Sequence, residues 1–264
     1  MTPRVSVVVP ARNSAGTIGR TLACLAAQEL EGEYEVIVVD DESEDDTAQV
    51  AAAAGVTVLR PGRVGAAEAR NLGVGSARAA VIAFTDSDCF PSSSWLAKGL
   101  KALENKDLVQ GRVSPDPEAR LDAFDRTIWV ESERGFYETA NLFVTRAMFD
   151  RAGGFEEWID TGGEKLLAED VWFGWRVVRA GARTGFADDA LVHHAVFPRG
   201  PVGFVSEKLR LRYFPLIAAR IPEFRERTLH RRVFLSKRSA AFDLAIIHSF
   251  PTRRSSDLDR KSVV

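Results

Sequence analysis

The chain has 264 residues, of which 45% are hydrophobic and 27% charged, proportions of one or two globular domains rather than of a disordered or fibrous chain. A formal net charge of −2 excludes a general nucleic-acid coat. The two cysteines, Cys24 and Cys89, exclude a disulfide framework and point to a reducing compartment.

Residues 4–9 read as a strand, residues 17–28 as a helix with Ile18, Leu22 and Leu25 on one face, and residues 35–39 as a second strand. A helix over 44–54, a strand over 56–59, a helix over 66–77 and a strand over 80–84 follow. This alternation predicts an α/β fold with a mostly parallel central sheet and helices on both faces. Unbroken β-branched runs such as Val36-Ile37-Val38-Val39 suit strands buried on both sides. Beyond Phe84 the pattern is less regular. It suggests helices over 95–104, 120–133, 146–152 and 170–180, and strands over 108–113, 141–144 and 184–186. Residues 1–200 read as one catalytic domain and 201–247 as a basic, mostly helical extension. Residues 208–238 hold ten Lys or Arg against Glu223 and Glu226, with apolar residues interspersed. Such a stretch suits either an anionic membrane surface or a solvated helical face.

The chemistry gathers where an open α/β sheet places its ligands, beyond the carboxyl ends of the strands. Asp40-Asp41 follows one β run and Asp86-Ser87-Asp88 another. Carboxylates two residues apart can converge on a hard divalent cation, Mn²⁺ or Mg²⁺, which neutralises a diphosphate. An aspartate at such a junction also serves as a turn or cap residue; two triplets after successive strands favour the ligand reading. The loop after the first strand has neither GxGxxG nor GxxxxGK[ST], which excludes the usual dinucleotide and P-loop signatures. Arg70 is placed to orient carboxylates or to meet phosphate. Asp170 falls in the first turn of a helix, a position that also accounts for it as a cap.

Taken in order, residues 5–13, 39–43 with Asp46-Thr47, Ala69-Arg70-Asn71-Leu72-Gly73, Asp86-Ser87-Asp88, Gly153-Gly154-Phe155 and Glu169-Asp170-Val171-Trp172 resemble the inverting family 2 glycosyltransferases of GT-A fold. The resemblance implies a nucleotide-diphosphate sugar as donor, bound by Pro10, Arg12, Asp41, Arg70, Asp86 and Asp88. It implies a divalent metal on Asp88, Asp86 and His193, with His194 as the competing histidine. Asp170 would be the base that deprotonates an acceptor hydroxyl on a glycan, a lipid-linked molecule or a small molecule. Two departures stand out: Arg12 replaces a frequent aromatic, and the 42–46 loop is unusually acidic. The Gln-x-x-Arg-Trp signature of processive members is absent, which implies transfer of one sugar at a time. A sugar nucleotidyltransferase and a non-catalytic sugar-nucleotide-binding protein are the competing readings; the first lacks its glycine-rich basic loop, and the second predicts lost carboxylates.

Residues 248–264 resemble a translated sequencing adapter, and fold expectations stop at residue 247. The start of the chain runs straight into a β run and no apolar run is long enough to span a bilayer. A cytoplasmic location is therefore expected, with peripheral or anchored attachment to the inner face of the membrane if the native chain extends further.

Overall fold

The computed structural model describes residues 2–159, 168–208 and 213–228. In chain order the elements are β1 (Val5–Ala11), α1 (Ile18–Ala26), β2 (Tyr34–Asp40), α2 (Thr47–Ala53), β3 (Thr57–Leu59), α3 (Ala66–Ser76) and β4 (Val81–Phe84). Then come β5 (Cys89–Pro91), α4 (Trp95–Leu103), β6 (Leu108–Pro115), β7 (Leu142–Thr145), α5 (Arg146–Ala152), α6 (Glu169–Arg179), β8 (Thr184–His194) and α7 (Pro201–Lys208). Two short helices, α8 (Phe214–Arg220) and α9 (Pro222–Thr228), follow. The chain divides at Pro215 into two compact units, and α9 lies in the second.

Eight strands form one sheet in the order β3-β2-β1-β4-β7-β6-β8-β5. Strands β3, β2, β1 and β4 are parallel, as the alternating pattern predicts. The other half keeps β6 and β8 parallel but brings in two reversed strands, so the sheet is mostly, not wholly, parallel. β7 runs antiparallel between β4 and β6, and β5 antiparallel to β8, so the sheet is mixed. No crossover helix links β6 to β7, so the return path reverses the strand.

The β1 valines show why this sequence makes a central strand. Val5, Val7 and Val9 pack in a core with Ile18, Leu22 and Leu25 of α1 and Trp95, Leu96 and Leu103 of α4. On another face, Ile37 and Val39 of β2 pack with Ala69 of α3. Gly73 lets α3 approach this closely, because a β-carbon there would collide with the side chain of Val8. The buried Asn141 pins β6 and β8 together. Its amide donates to the Arg112 carbonyl at 2.8 Å and the Ala190 carbonyl at 2.7 Å, and its oxygen accepts from Trp95 Nε1 at 2.8 Å.

Two expectations are corrected. Residues 120–133 are not a helix. The backbone of Val130 exchanges both hydrogen bonds with Val113, and that of Arg126 both with Phe197. Thr127, Ile128 and Val130 are β-branched and suit such extended pairing better than a helix. The strand at 184–186 extends instead to His194. It is interrupted by a register shift opposite Gly111/Arg112, where β8 advances from Ala187 to Leu191. Asp188 and Asp189 fall in that shift, which is why the apolar pattern fades before the strand ends. Among the described residues no helix is long and apolar enough to cross a membrane. Most of the basic 208–238 stretch, and all of 248–264, lie outside the described residues.

Candidate active site

The loops beyond β1, β2 and β4 and the end of β8 enclose an open cleft of about 680 Å³. Pro10, Arg12, Asp41, Arg70, Asp86 and Asp88 all line it, joined by Arg126 and His194. His193 and Asp170 are not among the lining residues.

Its first wall is built by the acidic loop clamping the loop after β1. The Asn13 N–H donates to Ser43 Oγ at 2.9 Å, the Ser14 N–H to Thr47 Oγ1 at 2.7 Å and the Ala15 N–H to Asp45 Oδ2 at 3.0 Å. Asn13 holds a left-handed φ of 49° and accepts the Glu44 N–H at 2.8 Å. Asp45 and Ser43 thus hold backbone in place. Asp41 Oδ1 accepts the N–H groups of Val64 and Gly65 at 2.6 and 2.9 Å, and Arg63 lies 3.6 Å from Oδ2. Asp41 is buried and fixed before any ligand arrives.

Arg70 is the hub. It is buried, with one amino group donating to Asp86 Oδ1 and the other to Glu169 Oε1, each at 3.1 Å. Burial opposes its charge, but Asp86, Glu169 and Asp170 together hold the guanidinium above its ordinary pKa. The neighbouring Asn71 exchanges two hydrogen bonds with the backbone of Phe155, at 2.8 and 3.0 Å. Those bonds need Gly154, whose φ of +68° and contact with Asn71 both exclude a side chain. The two separated motifs 69–73 and 153–155 are therefore one structural unit.

Asp88 faces His194. Burial pushes the Asp88 carboxyl up, His194 and Arg126 pull it down, and Asp86 adds to the rise. His194 Nδ1 lies 2.6 Å from the Ala195 carbonyl oxygen, which can only accept, so Nδ1 carries a proton and Nε2 faces Asp88 Oδ1 across 3.6 Å. With Nε2 unprotonated, the pair presents two acceptors that a shared cation would stabilise. Cys89 completes a cluster whose ligand atoms all lie within 4.8 Å of one another, but burial raises its thiol well above the ordinary value and keeps it protonated. The remaining oxygen and imidazole donors suit Mn²⁺, and Mg²⁺ less well, since Mg²⁺ favours oxygen and water. Arg126 closes this side, its Nη2 4.0 Å from Asp88 Oδ2 and its guanidinium 5.0 Å over the Phe197 ring.

The structure places His193 away from Asp88. Its Nδ1 meets Ser114 Oγ at 3.0 Å, and adjacent strand residues point to opposite faces, so only His194 reaches Asp88. No signal in the sequence sets that parity without the β5–β8 register, Cys89 opposite His194. Sequence reasoning also missed Arg126, hidden in the misread helix, and Glu138.

Asp170 lies in the first turn of α6, half-buried. Burial, Glu169 and Glu138 push its carboxyl well above the ordinary aspartate value, against the Val171 N–H and Arg70. Burial raises Glu138 to about 7. Glu169, beside Asp170, reaches Arg70, so the guanidinium links the acidic helix start to the Asp86 loop.

The family model for Glycosyl transferase family 2 matches residues 6–156, more than half the chain. Glycosyltransferase AglE of Haloferax volcanii is 31% identical over 75% of this chain and 69% of its own. The chain belongs to glycosyl transferase family 2. It is thereby placed among sugar-transferring enzymes. Two solved structures share its GT-A fold. S. aureus TarS 1-349 in complex with UDP-GlcNAc is 23% identical with a TM-score of 0.58, covering 77% of this chain and 61% of that one. Mannosyltransferase PcManGT from Pyrobaculum calidifontis, in complex with GDP-Man and Mn²⁺, is 23% identical with a TM-score of 0.60, covering 76% and 59%. The chain thus spans about six-tenths of these solved chains.

Proposed function

We propose that the cleft binds a nucleotide-diphosphate sugar with a divalent cation, and that the enzyme moves one sugar to an acceptor hydroxyl with inversion. The observation that carries this reading is the convergence of Asp88 and His194 Nε2 beside three arginines, Arg12, Arg70 and Arg126, in one cleft. The UDP-GlcNAc complex of TarS and the GDP-Man and Mn²⁺ complex of PcManGT support a donor and metal of this class.

Each residue has a distinct task. Asp41, held rigid by two backbone N–H groups, offers its remaining lone pairs to the base, with Arg12 beside it on the exposed rim. Arg70 holds Asp86 at the cleft wall through a 3.1 Å ion pair. Asp88 and His194 would hold the metal, which when bound neutralises the diphosphate as it leaves. Arg126 is within reach of the same charge and adds a guanidinium to it. Asp170 takes the proton of the acceptor hydroxyl as its oxygen attacks the anomeric carbon. Its raised pKa strengthens it as a base. The C–O bond to the acceptor forms as the bond to the diphosphate breaks on the opposite face. That single displacement inverts the centre.

The test is a transfer and hydrolysis screen over UDP-, GDP- and dTDP-sugars with and without Mn²⁺, followed by proton NMR of the product. A metal-dependent product of inverted anomeric configuration is expected. A product of retained configuration overturns the single displacement.

A further inference from the structure

The described part of the larger unit exposes its large apolar side chains unevenly. Leu121, Phe124 and Trp129 are 46, 41 and 56% exposed, and Val202 and Val205 of α7 are 84 and 62% exposed. All five lie on two segments that pair with each other. Arg126 and Phe197 exchange both backbone hydrogen bonds at 2.9 Å, the Phe124 and Phe204 rings meet edge-on at 5.7 Å, and the Arg199 N–H donates to Asp125 at 3.3 Å. Singly scattered apolar residues need no explanation, but a concentration on one pair of segments does. Val202 and Val205 are three apart, on one face of their helix. The same two segments supply Arg126, Thr127, Ile128 and Phe197 to the cleft wall. The apolar surface therefore belongs to the rim of the donor site.

The sequence from the last residue of α7 onward selects the occupant. Lys208-Leu209-Arg210-Leu211-Arg212-Tyr213-Phe214 alternates cations with apolar residues, and residues 208–238 hold ten Lys or Arg against two Glu. An apolar rim continuous in sequence with a cationic stretch complements a surface that is apolar inside and anionic outside.

We propose that the rim formed by residues 121–129 and α7 docks on an anionic lipid bilayer, with Trp129, Val202 and Val205 entering the headgroup region and the cleft held at the membrane surface. Each Lys or Arg near such a surface adds attraction that salt screens, and the apolar side chains add the component that salt does not screen. The acceptor class that fits is a lipid-linked one, whose hydroxyl would be presented at the bilayer surface beside the cleft. This last step rests on the sugar-transfer reading; the docking does not.

Flotation of the full chain with phosphatidylcholine vesicles, with and without phosphatidylglycerol, tests it with no donor present. Binding to the anionic vesicles alone is expected, with several-fold loss in Val202→Ser/Val205→Ser. Brominated lipids should quench tryptophan fluorescence in the parent and much less in Trp129→Phe, a substitution that keeps an aromatic ring. The variants' circular dichroism should match the parent's, and none of these residues contacts Asp88 or Arg70. Undiminished flotation in the double variant together with unquenched Trp129 would overturn the proposal by assigning all binding to the basic stretch. Absence of binding to either vesicle, with sedimentation showing a dimer that the double variant dissociates, would overturn it in favour of a second copy. Failure of metal-dependent donor binding would leave vesicle binding untouched, so the two readings fail separately.

Discussion

Asp170 poses the sharpest question for a single side chain. A half-buried carboxylate beside Glu169 and Glu138 is held protonated longer than an ordinary aspartate, which favours it as a proton acceptor but costs stability once it ionises. Asp170→Asn should therefore lower transfer by a factor on the order of 10² or more, with donor affinity much less changed. The same variant should melt higher than the parent at neutral pH, because it removes the cost of ionising a group whose folded pKa is raised. Initial rates and a thermal melt check both; near-normal transfer would leave Asp170 as a helix-start residue only. Glu138 gives a second pH signature. Its carboxyl moves from 4.5 to about 7 in the fold, so the folded state binds the extra proton. Its contribution to stability is present below about 4.5 and is lost as pH rises through about 7. Glu138→Gln should flatten the decline in denaturation midpoint across that window. An unchanged slope would show that Glu138 titrates normally. The residues were unevenly legible in the sequence. Asp41, Asp86 and Asp88 follow apolar strands closely and were readable. His194 needed the strand register, and Glu138 needed knowledge of what packs around it.

At the scale of elements, α3 against the sheet decides whether Arg70 reaches Asp86. Gly73 is the contact point, since any β-carbon there would meet Val8 and press on Val39. Gly73→Val should destabilise the fold by about 1–3 kcal/mol through overpacking, read as a lower denaturation midpoint. It should also weaken donor binding, because a displaced α3 carries Arg70 with it. A midpoint and affinity equal to the parent's would show that the sheet accommodates the shift. Elements in the first half were legible because local pattern and tertiary role agree: a buried parallel strand needs an apolar run, and α1 needs an apolar stripe. The second half was less so. Residues 120–133 have the composition of a helix at their start, yet their backbone partners are Val113 and Phe197, which lie far away in sequence. β8 continues beyond an acidic interruption that local pattern treats as an end. Both errors come from long-range pairing overriding local preference.

At the largest scale, one cleft collects side chains from β1, the loop after β2, α3, the loop after β4, the 126–128 segment and β8. The mixed sheet has a functional consequence: β8, parallel to β6 and antiparallel to β5, carries His194 back to the Asp86–Asp88 loop. That juxtaposition underlies the donor reading. The most direct measurement is calorimetric titration of UDP and of GDP into the parent and into Asp88→Asn, His194→Ala and His193→Ala, each with Mn²⁺ and with EDTA. Nucleotide binding that requires Mn²⁺, is lost in Asp88→Asn and His194→Ala and persists in His193→Ala is predicted. Equal affinity with EDTA, or loss in His193→Ala but not in His194→Ala, would contradict the assignment of this cleft as a metal-assisted donor site built on Asp88 and His194.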